Sequence, residues 1–265
     1  MQRNGRMVRF FDAIQCDLRL FAFILLTLCA YRAYFMFAMA GYIAPETSNA
    51  DIGLALFTGL RLSLKTAGWI ALPSFAFCSL PVLAAPQLAV LLGRLRLFWG
   101  TLAAFVFAVL FQARFPFYRQ FHTGFQMQMD AGLSDDPFTI VPMLMQEYGL
   151  LWRLGTAVLL TILSFYCLRF LLRVWKPYEL PHLRGAVQHT VFSLGLFVLF
   201  CAFFLFVRFG GSFTYANGVN WEHAGVTGDP FLNECVLDDG QALYRVYSMQ
   251  KRIKGGDIAG VDKTH

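Results

Sequence analysis

Apolar positions in this chain run on instead of alternating with polar ones. From Leu20 to Ile43 the only strong charge is Arg32, and at about 1.5 Å rise per residue such a run exceeds the roughly 30 Å hydrocarbon core of a bilayer. It predicts a first membrane span. A second is predicted over Thr66–Ala85, kinked where Pro73 and Pro81 remove backbone donors that neighbouring helices must compensate. Just before it, Asp51–Leu64 is apolar but carries Arg61, which shares a face with Lys65 at i, i+4, and reads as an interfacial lead-in helix. Leu97–Ala113 is a short third span, whose mismatch either bilayer thinning or extension of the apolar stretch across Phe115 and Phe117 has to cover. Leu150–Leu172 and Val187–Val207 form the fourth and fifth, bounded by Arg169, Arg173 and Arg208, whose long stems can reach headgroups. A secretory leader also begins with basic residues such as Arg3, Arg6 and Arg9, but its apolar region is shorter and ends at a small-residue cleavage site.

The pattern changes in two places. Between spans three and four, Phe115, Phe117, Tyr118, Phe121 and Phe125 recur at near-helical spacing among polar residues, as in an amphipathic helix lying on the outer membrane surface. In the same segment Arg114, Arg119 and His122 form a candidate cationic patch for an anionic lipid headgroup, because guanidinium groups bind phosphate bidentately. After span five come turn signals at Gly210, Gly211, Asn217 and Gly218. Asp229 and Pro230 then start a helix whose apolar Leu232, Cys235, Val236, Leu243, Val246 and Tyr247 fall mostly on one face, closed by Gly255 and Gly256.

Composition agrees with a bilayer as solvent: 57% of residues are apolar and 14% charged, against roughly a quarter charged in soluble domains. The fold class expected is therefore all-α integral membrane, with about five transmembrane helices, interfacial helices and an extracytoplasmic C-terminal linker helix. The domain plan is a cytoplasmic N-terminus over 1–19, a transmembrane domain over 20–209 and a linker over 210–265. The net charge of +6 is scattered among apolar runs and forms no stripe on a polar domain, so it points to membrane orientation and away from nucleic acid. Arg3, Arg6, Arg9, Arg19, Arg94, Arg96, Arg169, Arg173, Lys176 and Arg184 fall on one side of the predicted spans. Glu46, Asp51, Asp130, Asp135, Asp136 and Glu147 fall on the other, against Arg114 and Arg119. The positive-inside rule then places the N-terminus in the cytoplasm and the C-terminus outside, in a bacterial plasma membrane.

Chemistry is sparse. The six cysteines form no CxxC pair, and only Cys235 lies in a polar segment, as a lone thiol. The five histidines lack HExxH spacing, and Glu222, His223, Asp229, Asp238 and Asp239 make a poor hard-cation set because adjacent side chains diverge. No GxSxG or Walker-type loop is present. Arg32 is the one charge well inside a span, a functional candidate by its location, although from the outward half it can snorkel to the interface. A transporter would be expected to show inverted repeats and acidic residues near the midplane, and neither is read here.

Two stretches carry a resemblance: FYRQFHTGFQMQMDAGLSDDPFTIVPMLMQEY, and RFGGSFTYANGVNWEHAGVTGDPFLNECVLDDGQALYR after span five. Together with GLRLSL at Gly59–Leu64 they resemble the N-terminal membrane half of the lipoteichoic acid synthase family, the phosphoglycerol transferases of the alkaline phosphatase and sulfatase superfamily. The resemblance implies five spans and an extracytoplasmic linker helix that leads to a catalytic domain. That domain carries a threonine nucleophile and a divalent cation, usually manganese, and acts on lipids such as phosphatidylglycerol. No position through His265 matches the threonine or the metal ligands, so no catalytic, cofactor-binding or metal residue is assigned in this chain. The expected role is the membrane-anchoring half of such an enzyme, with the catalytic domain absent here and supplied by a longer chain or a separate subunit. The alternative is a membrane scaffold that acts through a partner.

Overall fold

A computed structural model describes residues 2–125, 145, 148–175, 178 and 185–255. Helices dominate, and no strand occurs among the described residues. The long helices are α1 (Gln2–Ala38), α2 (Asn49–Ser74), α4 (Ala89–Phe121), α5 (Leu150–Arg169) and α6 (Ala186–Arg208), with a short α3 (Leu80–Ala84) and the C-terminal α7 (Pro230–Val236) and α8 (Asp239–Gly255). Five helical stretches are long and apolar enough to cross a membrane: Val8–Ala38, Asn49–Ala84, Pro86–Phe121, Leu150–Val174 and Thr190–Arg208. The chain is thus an all-α, multi-pass membrane protein.

The spans differ from the apolar runs at their ends. Helix α1 begins at Gln2 and its apolar stretch at Val8, well before Leu20. The lead-in helix predicted over Asp51–Leu64 does not exist as a separate element. Nothing between Leu64 and Thr66 breaks the backbone, so α2 runs unbroken through it, and Lys65 is buried with its Nζ donating to the carbonyl of Val219 at 2.7 Å. A protein acceptor, where snorkelling would need a headgroup, satisfies that ammonium. The kink expected near Pro73 and Pro81 takes the form of a π-helical turn, Phe75–Ser79, between them. The third span is 36 residues long, because the helix continues through Pro116 to Phe121. Pro116 has no N–H for the carbonyl of Gln112, four residues earlier, and Arg153 donates to that oxygen at 3.1 Å.

The chain divides into two compact units. The first comprises Met1–Ala30, Ser63–Val106 and Leu159–Val219; the second comprises Tyr31–Leu62, Phe107–Val158 and Asn220–His265. In the first, glycines admit close helix packing: a Cβ at Gly100 would lie 2.7 Å from Leu20 and 3.2 Å from Leu168, and one at Gly68 would collide with Val207. Phe75 packs against Phe200, with tilted rings 4.3 Å apart, and Phe10 and Ile14 join them. Helix α6 ends in a Schellman motif, with Gly210 at φ 66° and Gly211 at φ 83° donating to Val207 and Phe206. In the second unit Phe35, fully buried, meets Phe115, Tyr118 and Phe231 at 5.2 to 5.8 Å. The aromatic stripe predicted to lie on the membrane surface therefore belongs, as far as Phe121, to the transmembrane helix itself. Asp130, Asp135, Asp136, Glu147, Lys176, Arg184, His182 and His265 lie outside the described residues.

Candidate functional site

The densest polar construction in the second unit surrounds α7. Its start is written in the local sequence: Asp229 accepts from the N–H groups of Phe231 and Leu232 at 2.8 and 3.1 Å, and Pro230 occupies the first turn, where its missing donor costs nothing. The other carboxylate oxygen accepts from Ala44 N–H and the Thr47 hydroxyl at 2.9 and 2.7 Å, which ties the loop between α1 and α2 to the helix start. Burial works against the Asp229 charge, but these hydrogen bonds outweigh it and hold the carboxyl below its ordinary value.

The end of α7 is not the one predicted. A single helix from Pro230 to the glycines was expected, yet Leu237 adopts extended backbone and α8 restarts at Asp239. A helix that stops after seven residues leaves its last carbonyls without partners. Two arginines supply them. Arg32 donates from Nε to the carbonyl of Cys235 at 3.0 Å and from Nη2 to that of Val236 at 3.2 Å. Arg114 donates to the carbonyl of Glu234 at 2.7 Å and lies 4.2 Å from the centre of the Phe35 ring. Opposite them stand Asp238, 4.0 Å from Arg32 Nη2, and Asp239, 3.4 Å from Arg114 Nη1. Asp238 also caps α8 by accepting from Gln241 N–H. Burial pushes the Asp239 carboxyl up to about 6, against the pull of Arg114.

These contacts correct the reading of three residues. Arg32 is 2% exposed and turned onto protein carbonyls, so it does not snorkel. Arg114 is 6% exposed and engaged in the same way, which leaves it unavailable to a headgroup. Arg119 and His122 are exposed, so what remains of the cationic patch is that pair. His122 ends α4 in the left-handed region at φ 53°, 5.5 Å from the Tyr42 ring. Cys235, read as a lone thiol in a polar segment, is fully buried, and burial pushes the thiol up to about 12. With Asp238 and Asp239 facing guanidinium groups and Asp229 saturated by its own donors, the described residues do not fit a divalent cation.

A second buried cluster lies in the first unit, around Asp17, which a first span beginning at Leu20 excludes. Asp17 accepts from Arg96 Nε at 2.9 Å and from Ser74 at 2.6 Å, with Ser79 as a third donor. The π-helical turn brings Ser74 and Ser79, five residues apart, onto one face. An acid at Asp17, more than two turns inside a span that starts at Val8, is the signal the sequence carries.

No protein-family model, no curated protein and no solved structure matches this chain.

Proposed function

We propose that the chain is a membrane anchor whose five spans hold a C-terminal linker, α7 and α8, in a fixed pose at the extracytoplasmic surface. There the linker positions a phosphoglycerol-transferring catalytic module, of the lipoteichoic acid synthase type, over lipid substrate such as phosphatidylglycerol. The observation that carries this reading is the capture of α7 at both ends. Asp229 fixes its start, and Arg32 and Arg114 fix its last carbonyls. A tether that only kept two parts of a protein together would need no buried guanidinium groups, each costly to desolvate in a membrane span. The resemblance of the segments around Arg119 and Asp229 to that family supplies the reaction class. Phosphate chemistry and any divalent cation belong to the catalytic module, and this chain's residues contribute position. The N-terminus is cytoplasmic in this reading, in a bacterial plasma membrane.

The test is complementation of a deletion in the host with the wild-type chain and with Arg32→Ala/Arg114→Ala, with the phosphoglycerol content of the envelope as readout. Loss of phosphoglycerol, restored by the wild type and not by the variant, supports the proposal. Unchanged phosphoglycerol content in the deletion strain rejects the reaction class. Labelling of Lys251→Cys in intact cells by an impermeant maleimide tests the orientation, and protection from it reverses the topology.

A further inference from the structure

The arginines that orient the protein also enclose a space. Within the first unit the start of α1, the start of α4 and the π-helical end of α5 (Phe170–Val174) border a cleft of about 420 Å³. Four guanidinium groups line it, those of Arg9, Arg94, Arg96 and Arg173, against the single carboxylate of Asp12. Two of the four are committed elsewhere. Arg96 is bound to Asp17, Ser74 and Ser79, and Arg9 donates through Nη1 to the carbonyl of Pro86 at 2.6 Å. Arg94 and Arg173 are exposed and have no hydrogen-bond or ion-pair partner among the described residues. Positive charges converging on one concavity repel each other unless an anion sits between them, and planar guanidinium groups match the oxygens of a phosphate ester. The rest of the wall is apolar, with Ala13, Val82, Ala89 and Val90 among it. A free inorganic ion gains nothing from such walls, whereas the glycerol and first methylenes of a lipid do.

We propose that this cleft binds the phosphate of an anionic phospholipid in the leaflet at the N-terminal end of α1, with Arg94 and Arg173 as the phosphate ligands. The spare donors of Arg9 complete the site, and Arg96, neutralised by Asp17, forms a fixed wall behind it. This inference is independent of the anchor reading, since it concerns residues of the first unit alone and requires no catalytic module.

Native mass spectrometry of the full chain in detergent tests it, with dioleoyl phosphatidylglycerol and dioleoyl phosphatidylcholine as competing probes. The wild type is expected to retain phosphatidylglycerol in preference, and Arg94→Gln/Arg173→Gln to reduce that preference about tenfold. Lys251→Gln, an exposed charge on α8, is expected to leave it unchanged. If the double variant loses its fold, Arg173→Gln alone, with its thermal midpoint verified, carries the same test. Undiminished preference in a folded variant overturns the site. Equal loss in Lys251→Gln overturns it in favour of bulk charge, and displacement of the lipid by inorganic phosphate at matched concentration overturns the lipid as the source of the anion.

Discussion

The two units each bury arginines, but they spend them differently. In the first, Arg96 meets a carboxylate at hydrogen-bond distance, 2.9 Å, and two serine hydroxyls fill the remaining positions, so charge cancels charge locally. In the second, Arg32 and Arg114 donate to backbone carbonyls at 3.0 and 2.7 Å, and the carboxylates of Asp238 and Asp239 stand at 4.0 and 3.4 Å. The first arrangement is an ion pair that fastens spans to one another. The second is a helix cap that fastens a linker to a span. Where a guanidinium answers broken backbone bonds, it converts a terminated helix into a docking point, and an ion pair of equal burial does not.

Substitutions can break that contrast, and the largest effect is expected in the first unit. Arg96→Met leaves Asp17 buried and uncompensated, at about 3 to 5 kcal/mol, and adding Asp17→Leu should recover most of it. Thermal unfolding in detergent of the single and double variants measures this; a double variant no better than the single would show that the serines, and not the charge, dominate. Arg32→Ala removes the charge-assisted bonds to the carbonyls of Cys235 and Val236, on the order of 3 kcal/mol, but from the linker. Hydrogen exchange should then rise over Pro230–Gly255 while the spans of the first unit keep their protection.

Gly59→Ala should reproduce the Arg32 effect in weaker form. A Cβ there would lie 2.6 Å from Arg32 Nε, so the guanidinium must give way, at about 1 to 2 kcal/mol. This gives the glycine of the GLRLSL stretch a structural reason: α2 must pass close enough to α1 to leave Arg32 room.

A gentler probe is pH. Asp239 in the folded chain is raised to about 6 from 3.8, so between those values the folded form keeps a proton that the released form gives up. Docking of α8 is therefore strongest at the acid end of that window and weakens as pH rises through it. Asp229 acts in the opposite sense: its lowered carboxyl contributes fully above the ordinary value and is lost as pH falls through the folded one. Exchange protection of α8 between pH 4 and 6 should fall in the wild type and flatten in Asp239→Asn. The smallest effect is expected at Arg252, whose ion pair with Glu222 is half exposed; Arg252→Ala should change stability by under about 1 kcal/mol.

What could be read in advance depended on how local the determinants are. The five spans follow from run length alone, because a bilayer demands about 20 apolar residues whatever their neighbours. Asp229, Pro230 and the paired glycines after α6 are equally local, since cap and turn chemistry acts within a few residues. The functions of Arg32, Arg114 and Asp17 were not legible. Arg32 finds its acceptors 203 and 204 positions away, and no spacing rule connects a span arginine to carbonyls freed by a break at Leu237. That break is partly local, since Asp238 with Gln241 three residues on is a helix-start signal, but the donors for the carbonyls of α7 come from elsewhere in the fold. The interruption is stabilised because two guanidinium groups and the cap at Asp238 satisfy the backbone groups it exposes. Sequence by itself thus determined which segments enter the membrane, through hydrophobic length. Only the tertiary structure decided which charges remain there, because the cost of burying a charge is set by the partners that the fold brings to it.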